Sequence, residues 1–512
     1  MERRLRAATQ GPVPDPAEAC DVTPAAAPWP ASARQHDPGR RAWMAQMLAL
    51  GAGGASTSAR SGAPIRAEAG AGGAANGATS PKAAAPVTSP TTLQRRPLVF
   101  PLDHGAHPDQ GIEWWYLTGW LAPRSAPPGT ATTAGNARSG TVPALGFQLT
   151  FFRSRGPARP DHPSRFAARQ VLMAHAAVTV LPGAASFGPL AAGHLSHDQR
   201  IARAGPGSAS AAEHDTAVQL GAGARAWWLR RRSGPGGHSE YHAQFGLDQV
   251  AAGDGDSSGA GRRNGTGNID EPQPSTLPLR LALTLTANAA PLLQGEAGWS
   301  RKGPSADQSS FYVSEPQLQL SGLLSLAEQT HALAGRAWLD HEWSGAILPA
   351  QAEGWDWLGI NLFDGSALTL FRLRQRPGSG RSVTQPAAPS ASQDDRRPAE
   401  PSPPTGVYWA GGSWRGTNGT TRSYTPGEVG MAALRHWRSA ATGAHYPVAW
   451  RLETPEGHFE LHALLDSQEL DARASTATVY WEGLAELRSD DGRQVLGLGY
   501  LELTGYAGRP AL

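Results

Sequence analysis

The chain has a single cysteine, Cys20, in 512 residues. No disulfide can form within it, and no metal site can rest on paired thiolates. An excess of one charge is missing too: 45 Lys+Arg meet 43 Asp+Glu, for a formal net charge of +2. With no long basic run, that balance argues against nucleic acid as the main partner. Helical periodicity is scarce, and Glu428–Arg438 is the best candidate helix. No run is apolar for long enough to span a bilayer as a helix. No glycine-rich loop precedes a helix, so a nucleotide cofactor has no cradle. Gly255-Asp-Ser257-Ser-Gly259 fits Gly-x-Ser-x-Gly, but it lacks the strand before and the helix after that a nucleophile elbow requires. A His-Glu-x-x-His helix, or any other diagnostic metal spacing, is likewise missing.

Tryptophan is abundant: 17 Trp stand against 9 Tyr and 11 Phe. A rigid, amphipathic ring suits the wall of an apolar ligand site as well as a structural core. Many of the 61 Gly and 43 Pro gather in low-complexity blocks, so the folded part is shorter than the chain. Residues 51–95 form a linker, and 253–274 and 376–405 are insertions. Arg40-Arg41, a short mildly apolar run and then small residues resemble a twin-arginine export signal behind a leader. Residues 1–97 are therefore expected to be disordered leader, signal and linker, and the protein to be periplasmic or secreted. Peripheral membrane contact is compatible with that.

Between these blocks lie many short β-prone segments punctuated by Gly and Pro. Glu113–Leu121, Ala144–Arg153 and Val171–Leu181 open the series, and Ala477–Leu487 and Gln494–Thr504 close it. Trp355–Phe363 and Ser366–Arg374 read as a hairpin turning at Asp364-Gly365. About 16 strands exceed one small barrel, so the expected fold is all-β with two consecutive antiparallel barrels. The break is expected between Phe311 and Gly335, dividing the chain into 98–325 and 326–512.

Three clusters set ionisable groups beside indoles. Gly335–Gly345 holds Asp340, His341 and Glu342 between Trp338 and Trp343. His107 to Trp120 includes Glu113, Trp114 and Tyr116; the third cluster joins Tyr480-Trp-Glu482-Gly to Gly497–Tyr506. Such groups are costly to bury unless they pair or do chemistry. Alternation puts Trp338, Asp340 and Glu342 on one strand face, and Leu339, His341 and Trp343 on the other. An ion-paired strand end would use the same residues. A carboxylic acid in apolar surroundings has a raised pKa and can deliver a proton. Indole and phenol faces stabilise a cation formed nearby. That combination suits protonation of a polyene or isoprenoid double bond followed by capture of water. A pericyclic or hydrolytic reaction, or plain binding of a long apolar ligand, would suit it nearly as well.

The motifs His107-Pro-Asp-Gln with Glu113-Trp-Trp-Tyr116, Gly335-x-Ala-Trp-Leu-Asp-His-Glu-Trp343, and Tyr480-Trp-Glu-Gly with Gly499–Tyr506 resemble the AttH/CrtC-type lipocalin-like family. It includes carotenoid 1,2-hydratases (hydroxyneurosporene synthases) and proteins labelled secreted hydrolases. The resemblance spans roughly residues 98–507. It implies two lipocalin-like (calycin-type) barrels, a ligand pocket between or within them, and no organic cofactor. It also implies a hydratase-like reaction with Asp340 as proton donor, His341 as its partner, Glu342 beside them, and Trp114 and Trp343 as cation-stabilising walls. His107, Glu113, Tyr116, Tyr480, Glu482 and Tyr506 would complete the substrate site. A Tyr-x-Asp pair is absent from Ser366–Arg374, where Leu368 and Leu370 stand. The implied partner is a hydrophobic carotenoid, isoprenoid or lipid. A non-catalytic carrier working beside an ABC-type permease, or a secreted hydrolase, are the alternatives.

Overall fold

Runs of alternating side chains, cut by Gly and Pro turns, build two antiparallel sheets. The computed structural model describes residues 93–124, 142–251, 276–379 and 406–510, apart from 157, 159–161, 165–166, 188–189 and 206–207. Cys20, the Arg40-Arg41 signal, the Gly255–Gly259 match, the 253–274 insertion and most of the 376–405 insertion lie outside the described residues.

The first sheet comprises β1 (Ile112–Pro123), β2 (Leu145–Arg155), β3 (Gln170–Val180), β4 (Leu195–Arg203), β5 (Ala209–Ala211), β6 (Ala217–Leu220) and β7 (Trp227–Ser233). It continues through β8 (Ser239–Ala251), β9 (Thr276–Thr286), β10 (Leu292–Leu293), β11 (Trp299–Arg301), β12 (Ser309–Leu326) and β13 (Gln329–Ser344). The second sheet holds β14 (Ala352–Leu362), β15 (Ala367–Gln375), β16 (Val407–Arg415), β17 (Thr421–Tyr424) and β18 (Gly430–Arg438). It ends with β19 (His445–Thr454), β20 (Gly457–Ala463), β21 (Glu469–Ala472), β22 (Thr478–Ser489) and β23 (Val495–Thr504).

In each sheet the first strand pairs with the last: β1 with β13, and β14 with β23. The first sheet curls until β3 and β4 meet β6 and β8 across its interior, so it is nearly a barrel; the second is a half-barrel. This is the expected all-β, lipocalin-like architecture. The division between sheets differs from the expectation. β12 and β13 pair along most of their length, so the chain passes from one sheet to the other at 345–351 and not at 325/326. The β12–β13 turn is a hairpin, and an isolated turn signal cannot distinguish a hairpin from a domain break.

Glu428–Arg438 is not helical. Pro426–Glu428 forms one 3-10 turn, and Gly430–Arg438 pairs with β19 as an edge strand. Its good helix formers are overridden by the ladder hydrogen bonds that β19 offers. Strands β4 and β16 carry too few alternating apolar residues to be read in advance, and neighbouring strands impose them. The Asp364-Gly365 turn forms as expected, with Gly365 at φ 98°, where a side chain would be strained.

Three apolar layers result. Leu117, Phe147, Leu149 and Leu281 belong to the interior of the first curl. Leu358, Trp450 and Leu501 belong to that of the second. Tyr116, Trp338, Trp357 and Phe371 pack between the sheets. A Cβ on Gly359 would stand 2.5 Å from Trp357 and 3.0 Å from Trp338, so glycine there makes room for both indoles. Buried polar contacts fix the sheets against each other. The Gln317 amide N–H donates to Asn361 Oδ1 at 2.7 Å, and Asn361 Nδ2 donates to the Ala337 carbonyl at 3.0 Å.

Candidate active site between the sheets

A cavity of about 650 Å³ opens between the outer face of the first sheet and the second sheet. β1 and β13 run side by side, with Tyr116 opposite Asp340 and Trp114 opposite Glu342, and all four line it. From the second sheet come Trp355, Trp357, Tyr480, Glu482 and Glu502. The seam of the first sheet thus faces the seam of the second. The three sequence clusters sit on those seams, which is how segments far apart in the chain meet.

Asp340 is 3% exposed. Its Oδ2 accepts from the Tyr312 hydroxyl at 2.6 Å; its Oδ1 accepts from Ser314 Oγ at 2.5 Å and Trp338 Nε1 at 2.7 Å. Burial pushes its pKa up to about 7, against those hydrogen bonds and with some help from the Glu342 charge. Asp340 therefore exchanges a proton near neutral pH. Trp357 Nε1 donates to the Tyr312 oxygen at 2.8 Å, which steers the tyrosine proton toward Asp340. A tyrosine–aspartate pair, absent as a local motif, is thus made across two strands. Glu342 accepts from Ser310 Oγ at 2.5 Å and pairs with Lys302 Nζ at 2.9 Å. That ammonium also lies 4.2 Å from the centre of the Phe371 ring.

Across the cavity, Glu482 stands opposite Glu502 in the β22–β23 register. Burial pushes Glu502 up to about 7, although Trp355 Nε1 donates to it at 3.0 Å. Burial, then the Glu502 charge, pushes Glu482 well above the ordinary carboxylate range. Tyr480 reaches back to the first sheet, its hydroxyl 2.7 Å from His175 Nδ1. Burial holds His175 down to about 3, so this imidazole is neutral.

The other face of the β1–β13 pair carries a second cluster that does not line the cavity. Glu113 is fully buried. Its Oε1 accepts from His107 Nδ1 at 2.7 Å and His341 Nε2 at 2.9 Å, and its Oε2 from Arg153 Nε at 2.7 Å. Burial alone would raise its pKa; the hydrogen bonds from His107 and His341 win and hold it well below the usual carboxylate range. His107 stacks on Trp343 with ring centroids 3.7 Å apart. Among the described residues, His107, Glu113 and His341 are the one His/carboxylate group whose donor atoms could meet on a metal, all lying within 4.8 Å. Arg153 on the same carboxylate opposes a cation there.

The expected site is therefore divided. Asp340, Glu342, Trp114, Tyr116, Tyr480 and Glu482 line the cavity. His341 is not Asp340's partner, because adjacent residues of a strand point to opposite faces. For the same reason Glu113 and Trp343 belong to the other cluster, which His107 joins from the segment before β1, and Trp355 and Trp357 supply the second sheet's indole walls. Tyr506 also misses the cavity: its hydroxyl donates to Asp356 Oδ1 at 2.9 Å, beside Arg372 and Arg374. Tyr312, Lys302 and Glu502 were not singled out in the sequence. For Glu502 a signal exists, since Tyr500, Glu502 and Thr504 alternate on one face as Tyr480 and Glu482 do. For Tyr312 and Lys302 no local signal exists.

Fold and site together define a two-sheet, lipocalin-like protein with a buried acidic, indole-walled cavity. The AttH-like family model matches residues 91–401 and 403–506, and the chain belongs to that family. A solved AttH structure from Nitrosomonas europaea is 36% identical, with a TM-score of 0.57, over 81% of this chain and 99% of that one. Kievitone hydratase from Nectria haematococca is 12% identical, with a TM-score of 0.48, over 82% and 96%. CghA is 10% identical, with a TM-score of 0.38, over 78% and 90%. Among curated proteins none matches.

Proposed function

We propose that this protein binds an apolar, unsaturated lipid or isoprenoid between its sheets and adds water to a C=C bond by acid catalysis, without an organic cofactor. The observation that carries this reading is Asp340: a carboxyl raised by burial to about 7, opening onto an aromatic cavity. An acid poised near the working pH is an efficient proton donor. In the proposed reaction, the Asp340 proton forms a C–H bond at one alkene carbon, leaving a cation at the other. The faces of Trp114, Trp355 and Trp357 are candidates to stabilise that cation. Water forms the C–O bond and loses a proton, which restores Asp340. An acyclic carotene is the best first substrate. Mass spectrometry should show product heavier by one water, and an Asp340→Asn variant with undiminished turnover would remove Asp340 from the role.

A second reading, a carrier without chemistry, is favoured by the three donors already seated on the Asp340 carboxyl. It expects the same ligands to quench tryptophan fluorescence and leave with unchanged mass. Both readings include export through the Arg40-Arg41 segment. The carrier adds a membrane contact or an ABC-type permease partner. Fractionation of cells expressing the protein tests export, and co-purification tests the permease.

A further inference from the structure

Both carboxyl oxygens of Glu482 are buried without a hydrogen-bond partner, as are the Tyr116 hydroxyl and Gln148 Oε1. Glu482 is 2% exposed, and all three residues line the inter-sheet cavity. Buried polar atoms are nearly always satisfied, so a group of them around one hollow marks where a ligand's polar atoms go. The kind of atom follows from what is left over. Gln148 spends its amide nitrogen on Thr150 Oγ1, at 2.5 Å, which leaves its oxygen free. Glu482 brings two oxygens, and Gln148 and Tyr116 one each, against two O–H donors, on Tyr116 and the protonated Glu482, so acceptor atoms outnumber donors. Glu502, directly across the ladder, is already held by Trp355 and Thr504. Glu482 keeps its proton because the site resists a charge beside Glu502, and an anionic head group would meet the same burial and repulsion.

We infer that this end of the cavity is a head-group subsite for a non-anionic hydrogen-bond donor, a hydroxyl or an amine, on an otherwise apolar ligand, with Glu482, Tyr116 and Gln148 as its acceptors. The inference rests on the cavity being an apolar-ligand site. It excludes fatty acids as the natural occupants: among the described residues, an ionised carboxylate beside Glu482 and Glu502 would find no lining cation but the Glu342-paired Lys302 further along the cavity and Arg509, which is bound to the Ala352 and Pro349 carbonyls.

The test uses four probes with one tail: dodecanol, dodecylamine, dodecanoic acid and dodecane. Binding to the full chain is read by quenching of tryptophan fluorescence at pH 8. Dodecanol or dodecylamine should bind at least about tenfold tighter than dodecanoic acid. Glu482→Leu should shrink that preference to within about threefold while dodecane binding stays the same, which also reports an intact fold. Glu482→Gln, of the same size, repeats the test if the leucine variant does not fold, and should lose the preference for the amine first. Tightest binding by the alcohol assigns a neutral head, and by the amine a cationic one. Dodecanoic acid binding as tightly as dodecanol, or a preference that survives both variants, overturns the subsite. Equal binding of all four probes removes the subsite but leaves the cavity reading standing; failure of every probe, dodecane included, removes both.

Discussion

The two faces of the β1–β13 pair bury acids in opposite ways. On one face Glu113 is ringed by His107, His341 and Arg153, and its charge is held by three short contacts. On the other, Asp340 is held by neutral donors only, and across the cavity Glu482 by no well-formed hydrogen bond, with Tyr116 its nearest donor. One strand pair thus carries a closed ionic lock and an open proton store, separated by the thickness of a sheet. The comparison shows that the presence of a buried carboxyl says little. What faces it decides whether it is structure or chemistry.

The lock should be the costlier to break. Glu113→Gln leaves the buried Arg153 guanidinium without its anion, and should lower stability by about 3–5 kcal/mol in urea unfolding. A loss within 1 kcal/mol would mean that the two faces are energetically alike.

The open face should lose function and keep its fold. Asp340→Asn is expected to reduce water addition by about 10²-fold or more while the variant still unfolds cooperatively in urea. Removing the unpartnered acid should even help: Glu482→Leu is expected to stabilise the fold by about 1–3 kcal/mol, read from the same urea midpoint. A destabilised Glu482→Leu would place that side chain among the structural acids.

pH should separate the faces by the sign of its effect. Asp340 and Glu502 have folded pKa values raised to about 7, above their unfolded values, so they bind more protons when folded. Their contribution is complete below about pH 4 and is lost as pH rises to 7 and beyond. Glu113 is depressed, so its contribution is present above about pH 4 and is lost as pH falls further. Stability measured from pH 3 to 8 should therefore pass through a maximum, and Asp340→Asn should flatten only the upper limb. The smallest effect expected is for Tyr312→Phe. It removes one donor that favours the ionised form of Asp340, and should move the alkaline limb of the activity profile upward by less than about one unit, roughly 1 kcal/mol.

Much of this was legible in the residues. Alternation and turn chemistry marked most strands, and the three motif clusters named β1, β13, β22 and β23, but not β14. The faces of Asp340 and His341 were legible as well, since strand geometry alone separates neighbours. What could not be read was that both faces of β13 are buried, one in the first curl and one against the second sheet. The second sheet's contribution depends on packing between strands 45 to 305 residues apart, Trp357 against Tyr312 and Tyr480 against His175. The tryptophans divide in the same way. Trp115, Trp227, Trp338, Trp343, Trp450 and Trp481 are fully buried, whereas Trp114, Trp355 and Trp357 line the cavity, and composition could not sort them.

The sequence by itself determined an all-strand chain, the motif strands and the family, because period-two patterning and turn residues act locally. Only the tertiary structure decided which acids stay paired and which hold protons. A carboxyl's pKa is set by burial and by the donors around it, and here those come from strands distant in the chain.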